Sequence, residues 1–315
     1  MRRNAHRHSD ADFLAFMEMQ ISEKNLYQKC KTALNYGSAY RSFVSFLRVK
    51  ERMFTLKFSQ ITSELIRRYE FYLIEERKIR RNSSSFYIRI LRAVFHKGLA
   101  YYDLNLPNPF RSVYAGVDTT VKRAVDVNAI TKLIKYQSEN EQLNFTKDAF
   151  LFCFLARGMA FIDFVKLQKS DCQNGRIIYR RSKTRRLLSI KMNTMMVEII
   201  NRYADPKSEY LFPVLKTPTF TQLAYEKALQ HYNYHLRKLA EEIGVDSLTS
   251  YVARHSWATQ ASRLHIPTRV ISESMGHSNE RVTAIYLASL DNHEIDMANK
   301  KVLDKIKESL VKKEK

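Results

Sequence analysis

Glycine is scarce in this chain, 7 residues of 315, at positions 37, 98, 116, 158, 175, 244 and 276. Spaced so, they build neither a G-x-G-x-x-G turn nor a G-x-x-x-x-G-K-[ST] phosphate loop, and nucleotide-driven chemistry is not expected. The three cysteines, Cys30, Cys153 and Cys172, lie far apart with no C-x-x-C pair, so the sequence suggests free thiols and neither a disulfide framework nor a zinc site. His231 and His235 have the i, i+4 spacing of a helical metal pair but no third ligand at a suggestive distance. Nor do the 32 acidic residues suggest a two-metal phosphate clamp. No cofactor and no metal are expected. Apolar runs all fall short of the roughly 18 residues of a spanning helix. The opening MRRNAHRHSD also lacks the apolar centre of a signal peptide, so a cytoplasmic protein without a membrane partner is expected.

What the chain has is positive charge. Lys and Arg total 53, for a net charge of +21 spread along the whole sequence. A polyanion follows as partner, most simply nucleic acid, because each phosphate neutralised releases a condensed counterion. The length, with 45% hydrophobic residues, suits two domains better than one.

From about Ser9 to residue 104 the apolar residues recur at helical spacing in four blocks, marked by Phe13, Phe16 and Met17, by Tyr40, Phe43 and Phe46, by Leu65, Tyr69 and Leu73, and by Ile88, Leu91 and Phe95. The last block is read as starting after a cap-like run, Asn82 to Ser85. Arginines of nearly uniform sign line the exposed faces, and Arg67, Arg68, Arg80, Arg81, Arg89 and Arg92 are assigned to DNA phosphates. NLPNPF, with two of the six prolines, opens a linker over 105–122. A second domain, 123–315, begins with helical patterns that include the apolar FLFCFLA of a buried helix. After the turn signal Asn174-Gly175, RIIYRR and LLSIKM read as two short strands joined through SKTRR, with Lys183 near the tip. Helices then resume to the Lys-rich end. The class is mainly α with a small β-hairpin.

The stretch GHSNERVTAIYLAS, 276–289, holds Tyr286 in a short helix behind a glycine-histidine corner. Gly276 can end one helix and Ser278 cap the next, which fixes His277 between them. Upstream, SYVARHSWATQA places Tyr251 and Arg254 at i, i+3 of a helix. Lys183 on its hairpin and Arg157 in ARGM complete the set: one phenol, two guanidiniums, an ammonium and an imidazole.

In that order these residues resemble the tyrosine recombinases of the phage integrase family. The family runs arginine, hairpin lysine, H-x-x-R, then G-H-x-x-x-x-T with the tyrosine shortly after. Lys183 in RSKT, Arg254 in YVARHSWAT, and Gly276, His277, Thr283 and Tyr286 in GHSNERVTAIY fall at family spacing. The resemblance covers nearly the whole chain, and it implies a four-helix SAM-like core-binding domain followed by a mostly helical catalytic domain. It also implies the chemistry. Tyr286 attacks a phosphodiester to leave a 3′-phosphotyrosyl bond and a free 5′-hydroxyl, so the bond energy is stored and no ATP is needed. Arg254, the first arginine and His277 stabilise the phosphorane, and Lys183 protonates the leaving 5′-oxygen.

Two positions depart from the family. Aligning its G-[LM]-R-x-x-[ED]-[LF] on Gly158-Met159 puts Ala160 at the first arginine and Asp163 at the acidic position. Arg157, three residues earlier and roughly 4.5 Å away along the axis of a helix, is the expected substitute. Tyr251 stands where H-x-x-R has its histidine, and its hydroxyl is expected to bond a phosphate oxygen. The expected partner is double-stranded DNA carrying inverted-repeat sites, bound by a dimer per site and by a tetramer in synapsis, with the 302–311 helix docking on a neighbour. About ten residues precede the first helix, which tilts the expectation towards inversion or resolution over integration. A type IB topoisomerase that religates one strand, and a DNA-binding protein with a decayed site, are the alternatives.

Overall fold

The computed structural model describes residues 11–26, 30–118, 124–215 and 219–280. The chain divides into two compact units, 1–120 and 121–315. Tyr286, Thr283 and the 302–311 segment lie outside the described residues.

Among its described residues the first unit holds four α-helices: α1 (Phe13–Leu26), α2 (Cys30–Phe46), α3 (Ser63–Phe71) and α4 (Arg81–Tyr101). α2 and α3 each run on into a π-helical turn, Leu47–Glu51 and Tyr72–Glu76. The apolar stripes meet in a core of rings set edge to face, such as Phe13 on Phe58 at 5.3 Å and Phe43 on Tyr69 at 4.9 Å. Gly98 has a packing reason, since a Cβ there would sit 2.2 Å from the Phe58 ring.

The start of α4 differs from the sequence reading. Its N-cap is Arg80, with no side-chain cap bond, and Asn82 to Ser85 lie inside the first turns. Those side chains bind the following connector instead: the Asn82 amide donates to the Asp118 carbonyl at 3.0 Å and accepts from the Asp118 amide at 2.7 Å, while Ser85 Oγ donates to Gly116. Phe110, from the proline-containing stretch, is buried in the same core. Much of what composition marks as linker is therefore packed on the first unit, because its backbone and its aromatic ring both find partners there.

In the second unit α5 (Val127–Lys135) is capped by Asp126 and α6 (Glu141–Leu155) by Asn140. α7 (Phe161–Lys166) leads to an antiparallel sheet of β1 (Cys172–Gln173), β2 (Arg176–Arg180) and β3 (Leu187–Lys191) in that order. α8 (Thr194–Arg202), α9 (Gln222–Ile243), α10 (Val252–Arg263) and α11 (Thr268–Ser274) follow. α6 packs against α5, α8, α9 and α10, and being surrounded is why FLFCFLA carries no polar face. Asn174 and Gly175, at φ 49° and 71°, make the turn their sequence promises, but it joins β1 to β2. The expected hairpin thus gains a third strand of two residues, too short for periodicity to reveal. Among the described residues no helix is long and apolar enough to cross a membrane, and no group of three or more metal-ligating side chains occurs.

Candidate active site

α11 ends in a Schellman motif. The Gly276 amide donates to Glu273 at 2.9 Å and the His277 amide to Ser272 at 3.0 Å, with Gly276 left-handed at φ 64°. This closure turns His277 back into the protein, where it is only 4% exposed.

Arg254 meets it there. In the first turn of α10 and 2% exposed, it donates through Nη1 to the Gly158 carbonyl at 2.6 Å and through Nη2 to the Met275 carbonyl at 2.7 Å. Nη2 also lies 2.8 Å from His277 Nε2. Arginine has no acceptor, so Nε2 accepts and the ring proton sits on Nδ1. The imidazole is accordingly neutral. Burial first, and then the charges of Arg254, Arg181, Lys183 and Arg186, lower its pKa from 6.5 to about 3.

Gly158 makes the approach possible. Arg157 and Gly158 follow α6 at φ 57° and 69°, and the reversal lays this segment against α10 so closely that a Cβ on Gly158 would stand 2.8 Å from Arg254 Cα. This corrects the view of Arg157 as three residues along a helix from Ala160. Arg157 lies beyond the end of α6 in a left-handed turn, and Ala160 is the N-cap of α7 in extended conformation, so helical spacing does not relate them. Arg157 itself is half-buried.

Lys183 is exposed at the tip of the β2–β3 hairpin, and both of its neighbours are tied down. The Ser182 amide donates to the buried Asp163 carboxylate at 2.8 Å, and Thr184 Oγ1 donates to the Gly276 carbonyl at 2.9 Å. Asp163, at the family's acidic position, therefore anchors the hairpin to α7. Tyr251 is the N-cap residue of α10, 42% exposed, and its ring packs across that of His255 at 4.8 Å. The structure brings together Arg254, His277 and the hairpin loop that carries Lys183. His231 and His235 pack ring on ring at 4.2 Å. Of the arginines assigned to DNA, Arg67 and Arg68 are exposed and paired with Glu64 and Glu51. Arg81 lies 3.8 Å over the Tyr114 ring, Arg80 is exposed, and Arg89 and Arg92 are half-buried along α4.

One residue of this cluster has no place in the sequence reading. Arg181, 4% exposed, donates through Nη1 to the Gly276 carbonyl at 2.6 Å. A signal for it existed: Ile177 and Tyr179 are buried on one face of β2, and strand alternation sends Arg181 the same way and Arg180 outwards.

Residues 123–293 match the phage integrase family, and residues 12–107 match the phage integrase SAM-like domain. A tyrosine recombinase XerC of Leptospira interrogans serogroup Icterohaemorrhagiae serovar copenhageni is 23% identical over 271 residues, covering 84% of this chain and 85% of that protein. A tyrosine recombinase XerA of Thermococcus onnurineus is 29% identical over 146 residues, 44% of this chain and 50% of that one. Among solved structures, the Tn1549 transposon integrase in complex with transposon right end DNA superposes with a TM-score of 0.70 at 16% identity, covering 93% of this chain and 100% of that one. A lambda integrase tetramer bound to a Holliday junction gives 0.65 at 15% identity, covering 90% and 79%. These two likenesses concern the fold.

Proposed function

The chain belongs to the phage integrase family, and from that premise we propose that it is a site-specific DNA recombinase that cuts and rejoins strands through Tyr286. The observation that carries the reading is the buried Arg254–His277 contact at the Gly276 corner, with the Lys183 hairpin bonded to the same corner. A buried corner where a neutral imidazole is surrounded by the charges of Arg254, Arg181, Lys183 and Arg186 suits an arriving phosphate.

The steps follow from the side chains. Tyr286 Oη attacks the scissile phosphorus and gives up its phenolic proton to water, the 3′-phosphotyrosyl bond forms as the bond to the 5′-oxygen breaks, and that oxygen leaves with a proton from Lys183 Nζ. Arg254 Nη2, bonded to His277 and Met275 without DNA, is the donor that turns towards a non-bridging oxygen as negative charge grows. His277, held neutral, keeps an Nδ1 proton to donate. Tyr251, exposed at the start of α10, offers its hydroxyl to the phosphate backbone. The arginines of α3 and α4 hold the flanking duplex by its phosphates.

In assembly the enzyme binds inverted-repeat sites in duplex DNA as a dimer per site and synapses two sites as a tetramer, with inversion, resolution or integration as the outcome. Support for this arrangement comes from the lambda integrase structures, a dimer bound to a core site and a tetramer bound to a Holliday junction. The test is a nicked suicide substrate that releases a short 5′-hydroxyl strand. Wild type should accumulate a covalent adduct and Tyr286→Phe none, with DNA affinity retained. An adduct formed by Tyr286→Phe would refute the assignment.

A further inference from the structure

If strand cleavage runs as proposed above, the phosphorane needs a second guanidinium, and the sequence position where the family carries one is Ala160. We propose that Arg181 supplies it: a buried guanidinium from the β2–β3 hairpin, converging with Arg254 on residues 275–277, contacts the scissile phosphate in place of position 160. The inference rests on that functional reading and adds a residue to it.

The juxtaposition is specific. Two consecutive carbonyls of the corner are each held by a different buried arginine, Met275 by Arg254 and Gly276 by Arg181. Both charges bear on the His277 imidazole between them. The Tyr179 ring feels Asp163, Arg254 and Arg181 together, so the two guanidiniums and that carboxylate share one neighbourhood.

Interior ions are retained where a partner compensates them. At Asp148 the unit shows what that looks like, with Lys147 and Arg202 both in ion-pair contact. Among the described residues Arg181 has no such ion pair. Asp163, the nearby buried carboxylate, bonds the Ser182 amide through Oδ1. Moreover, Arg181 Nε is buried without a hydrogen-bond partner among the described residues. A buried cation with an idle donor, in the same hairpin loop as Lys183 and Arg186 whose charges also bear on His277, is arranged for an anion that arrives from outside. Arg157, by contrast, sits half-exposed in the turn after α6, and among the described residues no hydrogen bond or ion pair to residues 275–277 is found for it.

The experiment exploits charge. Strand cleavage is measured on a suicide substrate whose scissile group is either the normal phosphodiester or a methylphosphonate, in which one non-bridging oxygen is a methyl group and the negative charge is gone. Arg181→Met is expected to cut the phosphodiester on the order of 10²-fold slower than wild type, the size of losing one charge-stabilising donor. On the methylphosphonate it is expected to regain most of that loss, because the charge it no longer neutralises is absent. Arg181→Lys, which keeps a charged stem in the same space, serves where the methionine variant does not fold. It is expected to cut the phosphodiester about 10-fold slower and the methylphosphonate at the wild-type rate. Equal losses on both substrates would mean that Arg181 only clamps the Gly276 carbonyl, and would overturn the inference. Undiminished phosphodiester cleavage by either variant would overturn it too and return the role to Arg157. Tyr286→Phe is run in parallel: cleavage by that variant refutes the functional reading, whereas an inert Tyr286→Phe beside fully active Arg181 variants refutes this inference alone.

Discussion

Replacing Gly158 with alanine measures how much of the site depends on the close approach of the α6 exit to α10. Two penalties arise, and a second glycine separates them. Gly175 has nearly the same left-handed backbone, φ 71° against 69°, but nothing lies within 4 Å of a Cβ there. Gly175→Ala therefore isolates conformational strain, about 1–2 kcal/mol for an L-residue in this region. At roughly 2–4 °C per kcal/mol for a domain of this size, its Tm should fall by about 2–8 °C. Gly158→Ala carries the same strain, and its Cβ also meets Arg254 Cα at 2.8 Å, where ordinary contact begins at 3.4 Å. Backbone faces backbone, so no side chain can swing aside. Overpacking of this kind costs a further 1–3 kcal/mol or so, for a total of about 2–5 kcal/mol and a Tm loss of roughly 4–20 °C. The two segments must part by about 0.6 Å, and Arg254 moves with α10. Since an error of about 1 Å in a catalytic group costs on the order of 10²-fold, cleavage should slow by roughly 10-fold or more in Gly158→Ala. In Gly175→Ala it should not change. Differential scanning fluorimetry and the suicide-substrate assay on both variants decide the matter. Equal Tm losses together with equal cleavage rates would refute the idea that Gly158 sets the position of Arg254.

Three further outcomes follow. Folded His277 titrates near 3 and the unfolded chain near 6.5, so between those values the unfolded state takes up a proton that the native state does not. The contribution of this residue to stability is complete above pH 6.5 and is lost as pH falls towards 3. His277→Gln should flatten the fall in Tm between pH 7 and 5, and an undiminished slope would place the linkage elsewhere. Lys183→Ala should cut a normal substrate poorly and recover on a 5′-bridging phosphorothiolate, whose sulfur leaves without protonation; no recovery would make Lys183 a binding residue. Asn82→Ala removes both bonds to the Asp118 backbone, at about 1–3 kcal/mol of local stability, so limited proteolysis within residues 113–118 should accelerate while α4 stays intact by circular dichroism.

Fold class and family were legible in the chain itself, because both depend on short-range patterns. Four amphipathic blocks announced the first helices, Asn174-Gly175 a tight turn, and the Gly276-His277 pair of GHSNERVTAIY a helix-ending corner. Boundaries were less legible where a residue had two uses. Asn82 and Ser85 look like caps, yet from within the first turns of α4 they bind the 116–118 backbone, a partner more than thirty positions away that no local window contains. β1 escaped because two residues carry no period.

The sequence by itself determined the residue types of the site, the net charge that calls for a polyanion, and the Schellman corner, whose Gly276 and preceding helix are neighbours in the chain. Only the tertiary structure decided which cations share the site. Arg157 and Ala160 stand three residues apart, yet a left-handed reversal at Arg157 and Gly158 cancels the helical geometry that spacing suggested. Arg181 and Gly276 stand 95 residues apart and meet at 2.6 Å. Spacing fixes direction within a regular element, but a turn resets it, and the convergence of Arg181 with Arg254 arises when the hairpin, the end of α11 and the start of α10 are packed together.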